Sequence, residues 1–344
     1  MKSNVTATIS TKNRYFTSLP NCLISIANQT VVPDKVIIFD DGEHKDLRNE
    51  EIYKNIFSCF RDKGIEWTVV FAEGKGQVKN HQKALEIVET DFIWRLDDDN
   101  VAEANVLEEL LKCMGTKEVG AVGGLVLDPK FELKESKLAS NKIEDIYLGM
   151  NLQWFKQPFK DILDAEHIYS TFLFRKEAAK HGYNMELSPK GHREETLFTY
   201  EMKRNGWRLL IDPTVITWHF RNSQGGIRSG SNDAFLFEHD EKIFAKKLQE
   251  WGVIPNYSKL VVLDCGLGDS CVFAKILPDM KKKHKKIIIA NCYQELFEDD
   301  ESTTTISIAE AQMMCDITNF NIYKNMIDWN WADSLENAFR KLYL

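Results

Sequence analysis

Phe92 to Asn100 reads FIWRLDDDN, an apolar run that ends in three consecutive carboxylates, Asp97, Asp98 and Asp99. Adjacent anions repel each other, and Asp is among the poorest strand formers. The run is either a strand closing in a well-solvated turn or a strand end that faces something positive. Its neighbours decide the fold class. Upstream, VTATIS and KVIIFDDG read as strands with the helix SLPNCLISIANQT between them. EWTVVFAEG is the next strand, and the helix GQVKNHQKALEIVE leads into Phe92. Downstream, AEANVLEELLKCM reads as a helix and VGAVGGLVLDP as a strand. Strands alternating with helices imply parallel βαβ units and a doubly wound α/β sheet. In such sheets ligands bind beyond the carboxyl ends of the strands, which is where the acids lie.

The pattern is irregular from Lys130 to about Pro158, with the aromatics Trp154 and Phe155 in it. Then follow the strand IYSTFLF, the helix RKEAAKHG, the helix EETLFTYEMKRNG, and the strands WRLLIDP and VITWHF. RNSQGGIRSGSND, Arg221 to Asp233, is rich in Gly and Ser and reads as a mobile loop. A charged helix, HDEKIFAKKLQEWG, runs to Gly252, and Pro255 opens a new unit with the strands KLVVLDCGLGDS and KIIIANC.

The 344 residues suffice for two domains. A net charge of −8 with interleaved acids and bases argues against a nucleic-acid partner, because phosphate binding wants a basic excess. The local exception is KKKHKK at Lys281 to Lys286, read as a solvated helix end with an anionic membrane surface as the second reading. MKSNVTATIS holds no long apolar segment, so neither a signal peptide nor an anchor is expected, and the expected location is cytoplasmic. Seven cysteines without a CxxC pair read as reduced thiols.

The acids have company. IIFDDG also ends a strand in two carboxylates, Asp40 and Asp41, and Ser10-Thr11-Lys12-Asn13-Arg14 closes the first strand. Glu194 and Glu195 open a helix, and His219 ends the last strand of the first half. Several anions on one sheet edge would be costly unless a divalent cation and a nucleotide occupy it.

The order ISTKNR, VIIFDDG, GKGQVKNHQKALEIVETDFIWRLDDDN and HREETLFTYEMKRNGWRLLIDPTVITWHF resembles the inverting family 2 glycosyltransferases of the GT-A fold, over roughly residues 4 to 222. The resemblance implies a nucleotide-sugar donor, with uridine the commonest base, and Mn²⁺ or Mg²⁺. It assigns Asp41 to the nucleobase imide, Ser10 to the base or ribose, and Asn13, Arg14 and Lys79 to the nucleotide's surroundings. Asp99 would bind the metal, Asp97 or Asp98 would face the ribose or sugar, and Asp97 and His219 are the further metal ligands. Glu195 matches the general base, with Glu194 as the alternative, because the pair is Glu-Glu rather than Glu-Asp and follows Arg193 rather than Gly. Arg221 and Arg228 would close over the phosphates as a lid.

The resulting expectation is a GT-A catalytic domain over residues 1–222, a lid and bridging helix over 223–256, and a small α/β domain over 257–344. LDCGLGDS in that last domain vaguely resembles the glycine turn that opens heptosyltransferase-like chains. The acceptor is a glycan, a lipid-linked glycan or another hydroxyl compound, with peripheral membrane contact and self-association left open. Two rivals stand beside this reading. A sugar nucleotidyltransferase would want a glycine-rich opening loop that ISTKNR lacks. The other rival is a non-catalytic scaffold on a transferase fold.

Overall fold

The computed structural model describes residues 3–73, 76–129, 142–143, 160–220, 224–226, 234–253, 258–284, 286–314 and 317–344. The expected lid residues Arg221 and Arg228, and the aromatics Trp154 and Phe155, fall outside them. The chain divides into two compact units, residues 1–142 with 153–244, and residues 143–152 with 245–344.

In the first unit, β1 (Val5–Thr11), β2 (Lys35–Asp40), β3 (Glu66–Phe71) and β4 (Phe92–Asp97) are parallel neighbours in the order β3-β2-β1-β4. Helices α1 (Leu19–Ala27), α2 (Glu51–Asp62) and α3 (Gln77–Ile87) connect them. The chain winds outward from β1 to β3, then returns to the other side of β1, so the order reverses between β1 and β4. A crevice opens at the carboxyl ends of two strands whose connections leave in opposite directions. Register brings Ser10 level with Asp97 on one side, and Thr11 level with Asp40 on the other. The four central residues of β2, Val36 to Phe39, are all buried, as suits a strand covered on both faces.

Beyond β4 the sheet becomes mixed. Asp98 and Asp99 make a turn into the short β5 (Asn100–Ala102), so the acidic run ends β4 and leads into a further strand. After α4 (Val106–Cys113) come β6 (Val119–Leu127), β7 (Leu163–Asp164) and β8 (Phe172–Arg175), with β8 antiparallel to both β4 and β6. RKEAAKHG, expected as a helix, forms only a 3₁₀ turn over Lys176–Ala179. Its amide at Lys176 bonds Asp91, and Gly182, at φ +73°, closes the turn onto Ala179.

Helix α5 (Glu194–Arg204) precedes β9 (Arg208–His219), which is one strand where two were expected. Its register against β6 slips between Asp212 and Ile216, and the Asp212 carboxylate accepts from the amide and hydroxyl of Thr214, absorbing Pro213 in a bulge. Gly124 sits opposite, where a Cβ would lie 2.2 Å from the Val215 carbonyl oxygen. Helix α6 is Ala234–Glu250.

The second unit has a three-stranded parallel sheet, β10 (Ser258–Leu263), β11 (Lys286–Asn291) and β12 (Thr303–Ile306). Helices α7 (Leu267–Ala274), α8 (Leu277–Lys283), α9 (Ile308–Met314), α10 (Ile322–Asp328) and α11 (Leu335–Tyr343) accompany it. Its core centres on Phe273, which meets Phe297, Phe339 and Tyr343 edge-on at 5.6–6.0 Å. Lys281, Lys282 and Lys283 of the basic run bond Asp300, Asp279 and the Leu344 oxygen of the same unit. Among the described residues no helix is long and apolar enough to cross a membrane.

Candidate active site

A cavity of about 260 Å³ opens at the β1–β4 edge, and Ser10, Arg14, Asp41, Asp97, Asp98, Asp99, Glu195 and His219 all line it. Residues more than two hundred positions apart thus meet where the reversal of strand order predicts. Asn13, Lys79 and Glu194 are not among the lining residues. Asn13, at φ +56°, accepts the Glu43 amide. Lys79 is exposed on α3.

Each carboxylate has its own surroundings. Asp40 turns inward, where its Oδ1 accepts from the Tyr15 hydroxyl at 2.8 Å and the Gly42 amide at 2.9 Å. Asp41, only 4% exposed, accepts the Gly76 amide on Oδ2 at 2.9 Å, while its Oδ1 has no partner among the described residues. Gly76 is obligatory there, since its φ is +92° and a Cβ would lie 2.3 Å from the Pro189 oxygen. A buried acceptor left open costs roughly 1–3 kcal/mol, so this atom is prepared for a donor from outside.

Asp97 Oδ2 accepts from Ser170 Oγ at 2.6 Å. Asp98 receives Thr11 Oγ1 at 2.7 Å and Arg14 Nη1 at 2.6 Å. Burial nevertheless pushes the Asp98 carboxyl up to about 6, against the pull of Arg14. Asp99 is also buried, which would raise it, but bonds and charge from His219 and Arg14 hold it below the usual range. Pairing of Asn100 with His219 between β5 and β9 brings that imidazole to 3.3 Å from Asp99 Oδ2.

The two glutamates at the start of α5 part company. Glu195 faces the cavity. Glu194, 1% exposed, forms a buried ion pair with Arg95 Nη2 and receives Gln77 Nε2 at 3.4 Å. Burial pushes the Glu194 carboxyl up to about 8, with Arg95 pulling the other way. Arg95 Nη2 also lies 3.6 Å from Asp97 Oδ1. The loop ahead of this pair is clamped by α6: Asp240 accepts the amides of Ser188 and His192, and Glu241 pairs with Arg193, whose φ is +67°.

Sequence reasoning gave no role to Arg95, Gln77, Tyr169 or Ser170, all of which line the cavity. Arg95 carried a usable signal: two residues before Asp97 on a strand, it shares the face of that carboxylate. Asn80, which donates to Ser10 Oγ at 2.8 Å, had none.

The donor set suits a hard divalent cation. Asp99, Asp97 and His219 offer oxygen and imidazole nitrogen to one cavity. Among the described residues no three such side chains converge into a ready-made centre. Mg²⁺-type sites commonly take only one or two carboxylates and complete themselves with substrate phosphates, and the residues fit that arrangement.

The sequence profile described as glycosyl transferase family 2 matches residues 6–183. No curated protein matches the chain significantly. Among solved structures, S. aureus TarS 1–349 in complex with UDP-GlcNAc aligns with a TM-score of 0.50 at 16% identity, over 72% of this chain and 67% of that one. S. aureus TarS gives 0.48 at 16% identity over 72% of this chain, which spans 40% of its length. GalNAc-T7 with UDP, GalNAc and Mn²⁺ gives 0.49 at 13% identity, over 73% of this chain and 51% of that one. At 16% identity the likeness to TarS 1–349 with UDP-GlcNAc speaks to the fold alone.

Proposed function

The chain belongs to glycosyl transferase family 2, and on that premise we propose that it moves a sugar from a nucleotide-sugar, a UDP-sugar foremost, to an acceptor hydroxyl with inversion. Its fold is the expected GT-A arrangement, a mixed α/β sheet with a smaller C-terminal α/β unit. The acceptor we propose is a glycan or lipid-linked glycan.

The observation that carries the reading is the shared cavity: Asp41, which holds an unpartnered acceptor, the Asp97–Asp99 carboxylates and Glu195 all line it. Asp41 Oδ1 would accept the imide N–H of a uracil, with Ser10 beside it. Asp99, with Asp97 and His219, would hold Mn²⁺ or Mg²⁺. That cation, when bound, supplies charge stabilisation for the departing diphosphate. Glu195 would take the proton from the acceptor hydroxyl as its oxygen attacks the anomeric carbon, because a sugar hydroxyl is a poor nucleophile until deprotonated. Glu194 is less suited to that task, since Arg95 and burial hold it away from the cavity. Arg221 and Arg228 remain proposed phosphate contacts from the Gly/Ser loop, and Lys79 and Asn13 proposed outer contacts of the nucleotide.

The test is thermal unfolding with UDP, GDP, CDP and dTDP, each with and without Mn²⁺. A ligand that binds only the native state raises its midpoint. A shift with UDP that Mn²⁺ enhances, and that Asp41→Ala and Asp99→Ala each remove, is expected. No shift with any pair would move the assignment to a scaffold, and a response to nucleoside triphosphates alone would favour a nucleotidyltransferase.

A further inference from the structure

Asp240, on α6, is fully buried, and both of its oxygens hold a single loop. Its Oδ1 accepts the Ser188 amide at 2.7 Å. Its Oδ2 accepts the Ser188 hydroxyl at 2.8 Å and the His192 amide at 2.9 Å. A carboxylate out of water persists only where such donors offset its desolvation. Within the loop, the Ser188 hydroxyl accepts the Lys190 amide at 3.2 Å, and the Ser188 oxygen accepts the Gly191 amide at 2.9 Å. The loop also packs on the start of α3. A Cβ on Gly191 would lie 2.8 Å from Val78 Cγ2, and one on Gly76 2.3 Å from the Pro189 oxygen.

These bonds reach Glu195 through the backbone. The Glu194 amide bonds the Gly191 oxygen at 3.3 Å, and the Leu197 amide bonds the Arg193 oxygen at 3.0 Å. The left-handed backbone at Arg193 is the turn from which α5 starts. Successive helical residues point about 100° apart, so a displaced start would turn another side chain to the cavity. The other holds on this first turn run through side chains. Arg95 pairs with Glu194, and Glu241 Oε1 lies 2.7 Å from His192 Nε2 and 2.8 Å from Arg193 Nη2. Rotatable side chains can follow a shifted backbone, whereas an amide bonded to a buried carboxylate is fixed with it. The second turn of α5 is held separately, by the Ile168 amide on Thr199 Oγ1 at 2.9 Å.

We propose that Asp240 is a positioning residue for the transfer reaction. By fixing the loop from Ser188 to His192 it sets where α5 begins, and so keeps Glu195 on the cavity and Glu194 off it. The inference rests on the transferase reading above, with Glu195 as the base. Asp240 does not line the cavity and acts through the backbone alone.

The experiment compares full-length wild type, Asp240→Asn, Asp240→Ala, Glu195→Gln and Ile56→Ala. Ile56 is a core residue of α2, and its variant is the control for lost stability alone. Three quantities are read: the thermal shift with UDP and Mn²⁺, the rate of UDP release from UDP-GlcNAc, UDP-glucose and UDP-galactose with water as acceptor, and the crystal structure of Asp240→Ala. The UDP shift is expected to survive in every folded form. A misplacement of about 1 Å can cost about a hundredfold in rate. The rate is therefore expected to fall about tenfold in Asp240→Asn and about a hundredfold in Asp240→Ala, and to stay at the wild-type level in Ile56→Ala. In the crystal the Glu195 carboxylate of Asp240→Ala is expected to leave its wild-type place.

A folded Asp240→Ala that keeps the wild-type rate, while Glu195→Gln loses it, leaves the transferase reading standing and overturns the role of Asp240. Glu195 unmoved in the crystal overturns it whatever the rates. A rate that falls equally in Ile56→Ala does so too. If neither Asp240 variant folds, hydrogen exchange of the wild type decides. Ser188 and His192 amides that exchange as fast as exposed loop amides overturn the inference, and amides as slow as those in the first turn of α5 support it. No response of the wild type to any nucleotide removes the transferase reading and the inference with it.

Discussion

Each unit of this chain ends parallel strands in acidic residues, and the two ends treat them differently. After β10, Asp264 is exposed and Asp269 caps the first turn of α7 through the Gly266 amide at 3.3 Å. These acids keep their water and do local work. After β4, Asp98 and Asp99 are almost wholly withdrawn from water, and each is held by a charged partner more than eighty positions away in sequence. Solvated acids cost nothing to keep, whereas buried ones persist only where partners offset desolvation. The difference teaches that the edge of the candidate site is marked by how the charge is housed, since both ends hold the same residue type.

The largest effect should come from Glu195→Gln. Turnover of a UDP-sugar is expected to fall about 10²- to 10⁴-fold, the usual worth of a positioned base, with the UDP-induced thermal shift retained. Undiminished turnover would move the base to another residue. Next is Arg95→Met, which above the Glu194 value of about 8 leaves that carboxylate buried without its cation and should there cost about 3–5 kcal/mol in urea unfolding. Adding Glu194→Gln to it should recover part of that loss, and a double variant as unstable as the single one would break the pairing argument.

A smaller effect concerns pH. The carboxyl of Glu194 sits near 8 when folded, above its value of about 4.3 in an unfolded chain. Between those values the unfolded chain releases the proton that the fold retains. The stabilising contribution of this group is therefore complete at low pH and is lost as pH rises through about 8. The thermal midpoint of the wild type should fall relative to Glu194→Gln from pH 5 to 8.5, and parallel curves would show that Glu194 is ionised in the fold. The smallest effect is on the other sheet: Asp264→Ala should change stability by no more than about 0.5 kcal/mol and leave the UDP response untouched. A loss of that response would erase the contrast between the two edges.

Much of the first unit was legible. Alternating apolar runs named β1 to β4 and their helices, and motif order brought Asp41, Asp97–Asp99, Glu195 and His219 to one edge. The acidic run ends β4 as expected, and what went unread is β5 after it, which is three residues long and exists through its pairing with β9. RKEAAKHG carries good helix formers, yet the turn at Gly182 allowed one 3₁₀ turn. Local preference lost there to the path of the backbone. Arg95 shares a strand face with Asp97 in the sequence, but its pairing with Glu194 was hidden because that partner lies far along the chain.

What the sequence by itself determined was the alternation of elements and the residue types at the strand ends. These follow from periodicity and side-chain chemistry, which are local. Tertiary structure alone decided which of Glu194 and Glu195 faces the cavity, that Arg95 neutralises the other, and that Arg14 lies on Asp98 and Asp99 beneath two glycines. Successive helical residues point about 100° apart, so the direction of either glutamate depends on where packing starts the helix. The ion pairs join residues about a hundred positions apart, and only the folded chain brings such charges out of water together.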